Sequence, residues 1–570
     1  MEILIYLSKQ NLKMFRIKPP ILLLIVGFIT YANSLFNSFV LEDRANILRN
    51  PSIHNFFNIP NLFFHQVGGQ ESLGYFRPVL FTFYTFIYSL FGEFTFPYHF
   101  VQLLLQIGNS ILIYVLFKKY INKNIALIIS ILFLIHPINE ETVVWIANLQ
   151  DVLFVFFGLL SLYVLQRKIL STKNIILSNL LVLLSLFSKE TGVLFMFLGF
   201  LYVYLYHRKD FWFYSFFTGI VGVTYTILRL ASQIPFQKES LVPIMKLTLI
   251  ERMIQMPNII FYYLKTFVFP YNLVVYHSEV IREKTFVNFY LPLFSDIAFF
   301  SLLSFFLYKF IKKGHDKKIV LFFMVWFLLG LLMHIQIIPL DFTVADHFFL
   351  FPLLGLLGLL GLLVSQLDKK ILNHKMLTYL MFVVLSLFFI RTVIRNFDWR
   401  DQKTLLSHDV KVSQNDYLLE LVYTTELIND SKLDEAFLHA NKAISLYPES
   451  YLGWSSLGAI YYQKGIYDKA RESFEKSLTF GKNFGTHENL GLLLLKHGSL
   501  PEANKFLRNA TMTFPNSKKL WYYRLISEYK SGNHEDALQA SKNYYLLQQD
   551  QQSYTIYLYL LEKKPIKIEF

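Results

Sequence analysis

The chain has 570 residues, of which 54% are hydrophobic, 18% aromatic and only 16% charged, with a net charge of +14 and a mean hydropathy of +0.40. A soluble protein of this length needs far more polar surface, so the apolar excess belongs in lipid. The absence of cysteine excludes thiol catalysis, disulfides and Cys-ligated zinc, and the basic residues fall between apolar runs rather than on a soluble face, which excludes a nucleic-acid partner.

From the N-terminus, Lys9, Lys13, Arg16 and Lys18 precede the first apolar run, and no small-residue cleavage site comes after it, which reads as an uncleaved first helix. A helix needs roughly 20 apolar residues to cross the hydrocarbon. Such runs lie near 19–37, 98–117, 124–137, 143–166, 174–188, 190–206, 211–230, 293–311, 319–339, 347–367 and 376–394. Basic residues collect in alternate loops: Lys118, Lys119 and Lys123; Arg167, Lys168 and Lys173; Arg208 and Lys209; Lys309 to Lys318; Lys369, Lys370 and Lys375. The opposite loops carry Glu42, Asp43, Glu140, Glu141, Asp341 and Asp346. That asymmetry places the basic side in the cytoplasm. The stretch 252–276, broken by Pro257 and Pro270 and carrying Lys265, reads as interfacial or re-entrant, because a crossing there would put Lys309–Lys318 outside. Eleven spans put the C-terminal part of the chain on the non-cytoplasmic side; Arg391 and Arg395 at the end of the last run pull the other way.

Beyond about residue 400 the composition becomes that of a soluble domain. Ala436, Ala470, Ala503 and Ala537 recur at intervals of 34, 33 and 34 residues, and Pro448 and Pro515 each come twelve residues after such an alanine. Trp454, Leu457, Gly458 and Tyr461 make the pattern W-x2-LG-x2-Y, and Leu490-Gly491 repeats part of it. This is the tetratricopeptide signature, in which stacked helix pairs bury a face that no single repeat buries alone. The expected fold is therefore all-α: a polytopic transmembrane bundle of about 11 spans over 1–400, with a first outer loop at 37–97, then an α-solenoid over 401–570 holding about four repeats within 417–551. The repeats present a surface for a peptide or protein partner.

Ionisable residues at the outer membrane face are the candidates for chemistry. The first outer loop holds Glu42-Asp43, then Tyr75-Phe76-Arg77-Pro78, then Pro97-Tyr98-His99. Paired acids just past the first span place a general base at the membrane surface. Next comes His136-Pro137-Ile138-Asn139-Glu140-Glu141, and then Asp151 inside an apolar run, where an unpaired carboxylate costs several kcal/mol and so calls for a partner. Ser188-Lys189-Glu190 is pinched between two runs; Lys189 either holds an anionic headgroup or pairs with Glu190. Asp341, Asp346 and His347 border a late span. His136, Glu141 and His347 lack any metal-ligand spacing, and no Gly-rich phosphate cradle is present.

The order of parts resembles the transmembrane and tetratricopeptide repeat (TMTC-like) O-mannosyltransferases and their bacterial relatives, of the C-type (GT-C) polyprenyl-phosphate-sugar-dependent glycosyltransferases. The segment His136 to Asp151 is similar to that family's HPIHTEAV…GRAD stretch, Tyr75 to Pro78 to its YRP element, Pro97 to His99 to its P-x-x-H, and Ser188 to Glu190 to its SKE. Ala345 to Pro352 resembles its AER-x-LYLP, and Arg395-Asn396 with Trp399 its RN-x-x-W. The pair is Glu42-Asp43 where relatives often have two aspartates, and Leu149 and His347 stand where the family has arginine.

The resemblance implies a multi-pass membrane enzyme, in a bacterial case in the inner membrane. It would move a sugar, mannose by the family name, with inversion from a polyprenyl-phosphate donor to a protein or glycan acceptor on the non-cytoplasmic side. It implies Asp43, beside Glu42, as general base, and Arg77, Lys189, Arg229 and His347 as donor-phosphate contacts. His99, His136, Glu141, Asp151, Glu190 and Asp346 would be supporting polar residues. No tightly bound cofactor is implied beyond the lipid-linked donor, and no metal ligand is assigned. The competing class is a non-enzymatic membrane anchor whose repeats assemble a cell-envelope complex. A transporter is disfavoured because the spans show no internal duplication.

Overall fold

A computed structural model describes residues 17–65, 75–234, 242–366 and 375–566. Lys9, Lys13, Arg16, Lys369, Lys370 and the part of the first loop at 66–74 lie outside the described residues. Among the described residues the fold is all-α, its one β-bridge joining His277 to Val344. The chain divides into two compact units between Ser413 and Gln414.

The first unit holds α1 (Pro19–Tyr31), α2 (Pro78–Phe91), α3 (Phe96–Phe117), α4 (Lys123–Ile135), α5 (Glu140–Val144), α6 (Leu149–Leu165), α7 (Thr172–Ser188) and α8 (Val193–Tyr206). After these come α9 (Phe211–Ala231), α10 (Leu249–Val268), α11 (Leu291–Lys312), α12 (Lys317–His334), α13 (Leu350–Val364), α14 (Lys375–Asp398) and α15 (Gln402–Val412). Among the described residues, seven helical stretches are long and apolar enough to cross a membrane, or eight if α4 and the bent segment after it form one span. Four more, Pro19–Ser34, Pro78–Phe91, Thr172–Ser188 and Glu190–Tyr206, are apolar but shorter. The expected eleven is thus not reached on length and composition. Helix α10, with its Thr248/Glu251 capping box and internal Pro257, is not among the candidate spans.

Local chemistry explains the breaks. Pro137 has no N–H and pushes His136 into extended backbone (φ −68°, ψ 126°), so the chain bends by 53° between Lys123–Ile135 and Pro137–Val144. Lys189 is likewise extended (φ −158°, ψ 143°), and it separates α7 from α8. Helix α2 lies inside the segment expected to be one outer loop. Its leading residue Arg77 meets Glu190, and Gly92 at its far end accepts a 2.9 Å hydrogen bond from Tyr98.

Between α12 and α13 the contact depends on small residues. A Cβ at Gly355 would stand 2.4 Å from the Phe327 backbone nitrogen, and one at Gly330 2.9 Å from Pro352 Cα. Without a hydrophobic drive between helices in lipid, such close backbone approach is what holds them together.

The second unit stacks α16 (Tyr417–Asn429), α17 (Leu433–Leu446), α18 (Tyr451–Gln463), α19 (Tyr467–Phe480), α20 (Phe484–His497), α21 (Leu500–Thr513), α22 (Lys518–Lys530), α23 (His534–Gln548) and α24 (Gln551–Leu561). The periodic alanines Ala436, Ala470, Ala503 and Ala537 are fully buried. The repeat reappears in detail: Trp454 Nε1 donates to Pro448 O at 2.9 Å, and Trp521 Nε1 to Pro515 O at 2.7 Å. Gly465 turns α18 into α19 and Gly532 turns α22 into α23 at φ +75° and +76°, a region that L side chains avoid.

Replacing Gly355 with valine forces two backbones apart and should cost about 1–3 kcal/mol or more. Gly219→Val, which meets nothing within 4 Å, should leave the melting temperature of the detergent-purified protein nearly unchanged while Gly355→Val lowers it by several degrees.

Candidate functional site

The loop after α1 turns sharply at Leu41 (φ 49°), which sets Glu42 and Asp43 side by side with different environments. Asp43 is 1% exposed, and both its oxygens are taken by backbone: Oδ2 accepts from Val40 N at 3.1 Å and Oδ1 from Ala147 N at 2.7 Å. Burial raises its pKa well above the usual carboxylate range, against the pull of those two donors. Glu42 instead takes one hydrogen bond from the Tyr276 side chain and keeps Oε2 buried without a partner. Burial, helped by the nearby charges of Glu141 and Asp341, pushes the Glu42 pKa up to about 7.

Four helix junctions close around this pair. Lys189, at the extended residue between α7 and α8, donates to both oxygens of Asp151 at 2.7 and 2.8 Å, and both side chains are buried. The partner that Asp151 calls for is therefore Lys189. Glu190 faces away and pairs with Arg77, whose Nε and Nη2 donate to Oε2 at 2.9 and 2.8 Å. Arg77 also donates to Gln150 and stacks 3.7 Å from the Tyr75 ring centroid, while the Tyr75 hydroxyl donates to Asp341. Glu141 accepts from Asn148 at 3.2 Å and sits 2.8 Å from His347 Nδ1. Asp346 accepts from Tyr262 at 2.6 Å, and the same hydroxyl lies 2.7 Å from His277 Nε2. Burial lowers the His277 pKa to about 4, which keeps it neutral.

The remaining expected site residues make contacts with the backbone. His136 caps its own bend, accepting from Ile138 N at 3.1 Å, and its Nε2 lies 2.9 Å from Phe267 O. His99 Nε2 meets Asn37 O at 3.1 Å and ties α3 to the end of α1. Arg229 donates to Ile234 O at 2.7 Å, just past its own helix. Residues that sequence reasoning did not single out include Tyr262, Tyr276, His277 and Asp409. Arg395 is buried and donates to Asp409 at 2.6 and 2.9 Å, so it is an internal ion-pair residue and not a loop charge. Asp409 Oδ2 also accepts from Val275 N at 2.8 Å, which holds the segment carrying Tyr276 and His277. The signal for Tyr262 and Tyr276 was the Pro-broken stretch 252–276, which ends next to His277; Asp409 had none. Among the described residues no group of three or more His, Cys, Asp or Glu side chains is arranged to hold a metal ion.

Residues 77–234, which carry Arg77, Glu141, Asp151 and Lys189, match the family model described as dolichyl-phosphate-mannose-protein mannosyltransferase. Over 88% of its length the chain is 22% identical to the human protein O-mannosyl-transferase TMTC3. The chain is similar to that protein along most of its own length. It spans 61% of the length of that human relative. A Caenorhabditis elegans protein O-mannosyl-transferase, F38B6.6, is 30% identical over 201 residues, which make up 33% of this chain and 28% of that one. Among solved structures, YrrB, a tetratricopeptide protein with an unusual peptide-binding site, aligns with 28% of this chain and 84% of its own at 18% identity and a TM-score of 0.25. His347 is engaged by Glu141, and Leu149 is fully buried in one apolar cluster with Phe39 and Ile146.

Removing Lys189 alone strands a buried carboxylate. Lys189→Met should destabilise the protein by about 3–5 kcal/mol, and adding Asp151→Leu should restore most of the lost melting temperature. No recovery in the double variant would mean that the pair does more than neutralise itself.

Proposed function

We propose that this chain is an integral membrane glycosyltransferase. It takes a sugar from a polyprenyl-phosphate carrier and places it, with inversion, on a hydroxyl of a protein or glycan acceptor at the non-cytoplasmic face. The similarity to proteins named O-mannosyl-transferases over most of the chain supports the class and favours mannose. The carrying observation concerns the carboxylates. Asp43, Asp151, Glu141, Glu190 and Asp346 all have donors or cations on them. Among the described residues of the cluster, free buried carboxylate oxygens remain on Glu42 and Glu140. Glu140 stands 4.0 Å from the Arg395 guanidinium and takes the Trp399 indole N–H, which leaves Glu42 as the base. The role first expected of Asp43 passes to its neighbour, and Asp43 fixes the turn by holding Val40 and Ala147.

In this reading Glu42 takes the acceptor proton as the oxygen attacks the anomeric carbon, and the carrier phosphate leaves. Arg77 receives that phosphate by exchanging it for Glu190, whose side chain is 41% exposed and free to swing away. Lys189 stays matched to Asp151 and does not grip the donor. The bundle, 1–400, carries the reaction, and the repeats, 401–570, recruit the acceptor.

Transfer from a polyprenyl-phosphate mannose donor by purified protein tests the class. Glu42→Gln should lower turnover about 10²–10⁴-fold, the usual loss of a general base, whereas Asp43→Asn should cost stability more than turnover. The reverse pattern would return the base to Asp43. A base with a pKa near 7 carries its proton at low pH, so the rate should rise with pH through about 7 and then level off; a flat profile from about pH 5.5 to 8.5 would exclude Glu42. Deleting 414–570 should spare transfer to a short soluble acceptor and impair transfer to the native one.

A further inference from the structure

Away from this cluster, α11 carries one acidic residue within its membrane-spanning stretch. Asp296 is 6% exposed, and neither carboxylate oxygen has a hydrogen-bond partner. It lies five residues past the start of α11, about 8 Å down the helix axis at 1.5 Å per residue. An isolated carboxylate at that depth is costly, and where one occurs it marks a place where a partner binds. Among the described residues that partner is not in the protein, because no Lys, Arg or His lines the space that Asp296 faces.

That space is a cleft of about 440 Å³ between α10 and α11. Met253, Met256 and Ile260 form one wall and Ile297 and Phe300 the other. Met253 and Ile297 are more than half exposed, so the cleft opens onto the apolar surface that faces lipid. Methionine side chains adapt to flexible chains, and Ile297, Phe300 and Ser301 follow Asp296 along the α11 wall of the cleft. An apolar chain fits the walls, and a donor-rich cation fits the two vacant acceptors. An anionic headgroup does not fit, since it would set like charge against Asp296.

We propose that the α10–α11 cleft binds a membrane lipid with a primary ammonium headgroup, its ammonium on Asp296 and one chain along Met256, Ile297 and Phe300. The occupant differs from the sugar-phosphate donor, and the site stands whether or not the glycosyltransferase reading holds.

The probe is phosphatidylethanolamine added to the full chain in detergent, with dicyclohexylcarbodiimide reporting on Asp296 through peptide mass spectrometry. The carbodiimide should label Asp296, and phosphatidylethanolamine should reduce that label several-fold. Phosphatidylglycerol with the same chains, glycerophosphoethanolamine without chains, and polyprenyl phosphate should each leave it unchanged. Equal protection by phosphatidylglycerol or polyprenyl phosphate, protection by the headgroup alone, or an unlabelled Asp296 would overturn the assignment. Asp296→Asn, close in shape and uncharged, should retain several-fold less phosphatidylethanolamine in native mass spectrometry; undiminished retention would overturn it as well.

Discussion

The Arg395 guanidinium is buried at the C-terminal end of α14, and three carboxylates converge on it. Asp409 of α15 takes two hydrogen bonds from it, Asp398 a third at 3.2 Å, and Glu140 stands 4.0 Å away. Asp409 then reaches Val275, and Glu140 reaches the Trp399 indole at 3.2 Å. A buried ion pair contributes little net stability when complete and costs several kcal/mol when broken. Its effect is to make the arrangement all-or-none. The start of α5, the end of α14, the helix α15 and the segment at 273–277 are all placed together or not at all.

Through Val275 that clamp determines the two residues next to it. Tyr276 reaches Glu42, and His277 reaches Tyr262 and through it Asp346. The first loop is tied to the same frame from the other side, because Asp43 holds Ala147 at the start of the stretch leading into α6. Charge is balanced pair by pair across the site: Lys189 with Asp151, Arg77 with Glu190, Arg395 with Asp409. In a low-dielectric bundle each unpaired charge would be expensive, so a buried carboxylate oxygen left without a hydrogen-bond partner stands out. Glu42 does so inside the cluster, and Asp296 does so outside it.

Many of these groups were legible in the sequence. Asp151 had to have a partner because it interrupts an apolar run, and Arg77, Lys189, Glu141, Asp346 and His347 were visible as polar residues at the ends of such runs. The pairing was not legible. Lys189 sits next to Glu190 in sequence, yet an extended backbone at Lys189 sends the two side chains in opposite directions, one to Asp151 and the other to Arg77. Asp409 lies in a helix of ordinary soluble composition, and nothing local marks it as part of the site.

By itself the sequence determined the class of each segment. Apolar runs of the length of a bilayer form helices in lipid, because only a helix satisfies its backbone hydrogen bonds within one continuous segment, and alanines spaced by 33 or 34 residues stack as repeats. Those properties are local or periodic. Which of two adjacent carboxylates keeps a free oxygen and which cation each acid takes were decided only by the tertiary structure. Each depends on groups up to hundreds of residues away in the chain, brought within hydrogen-bond reach by packing that no local pattern encodes.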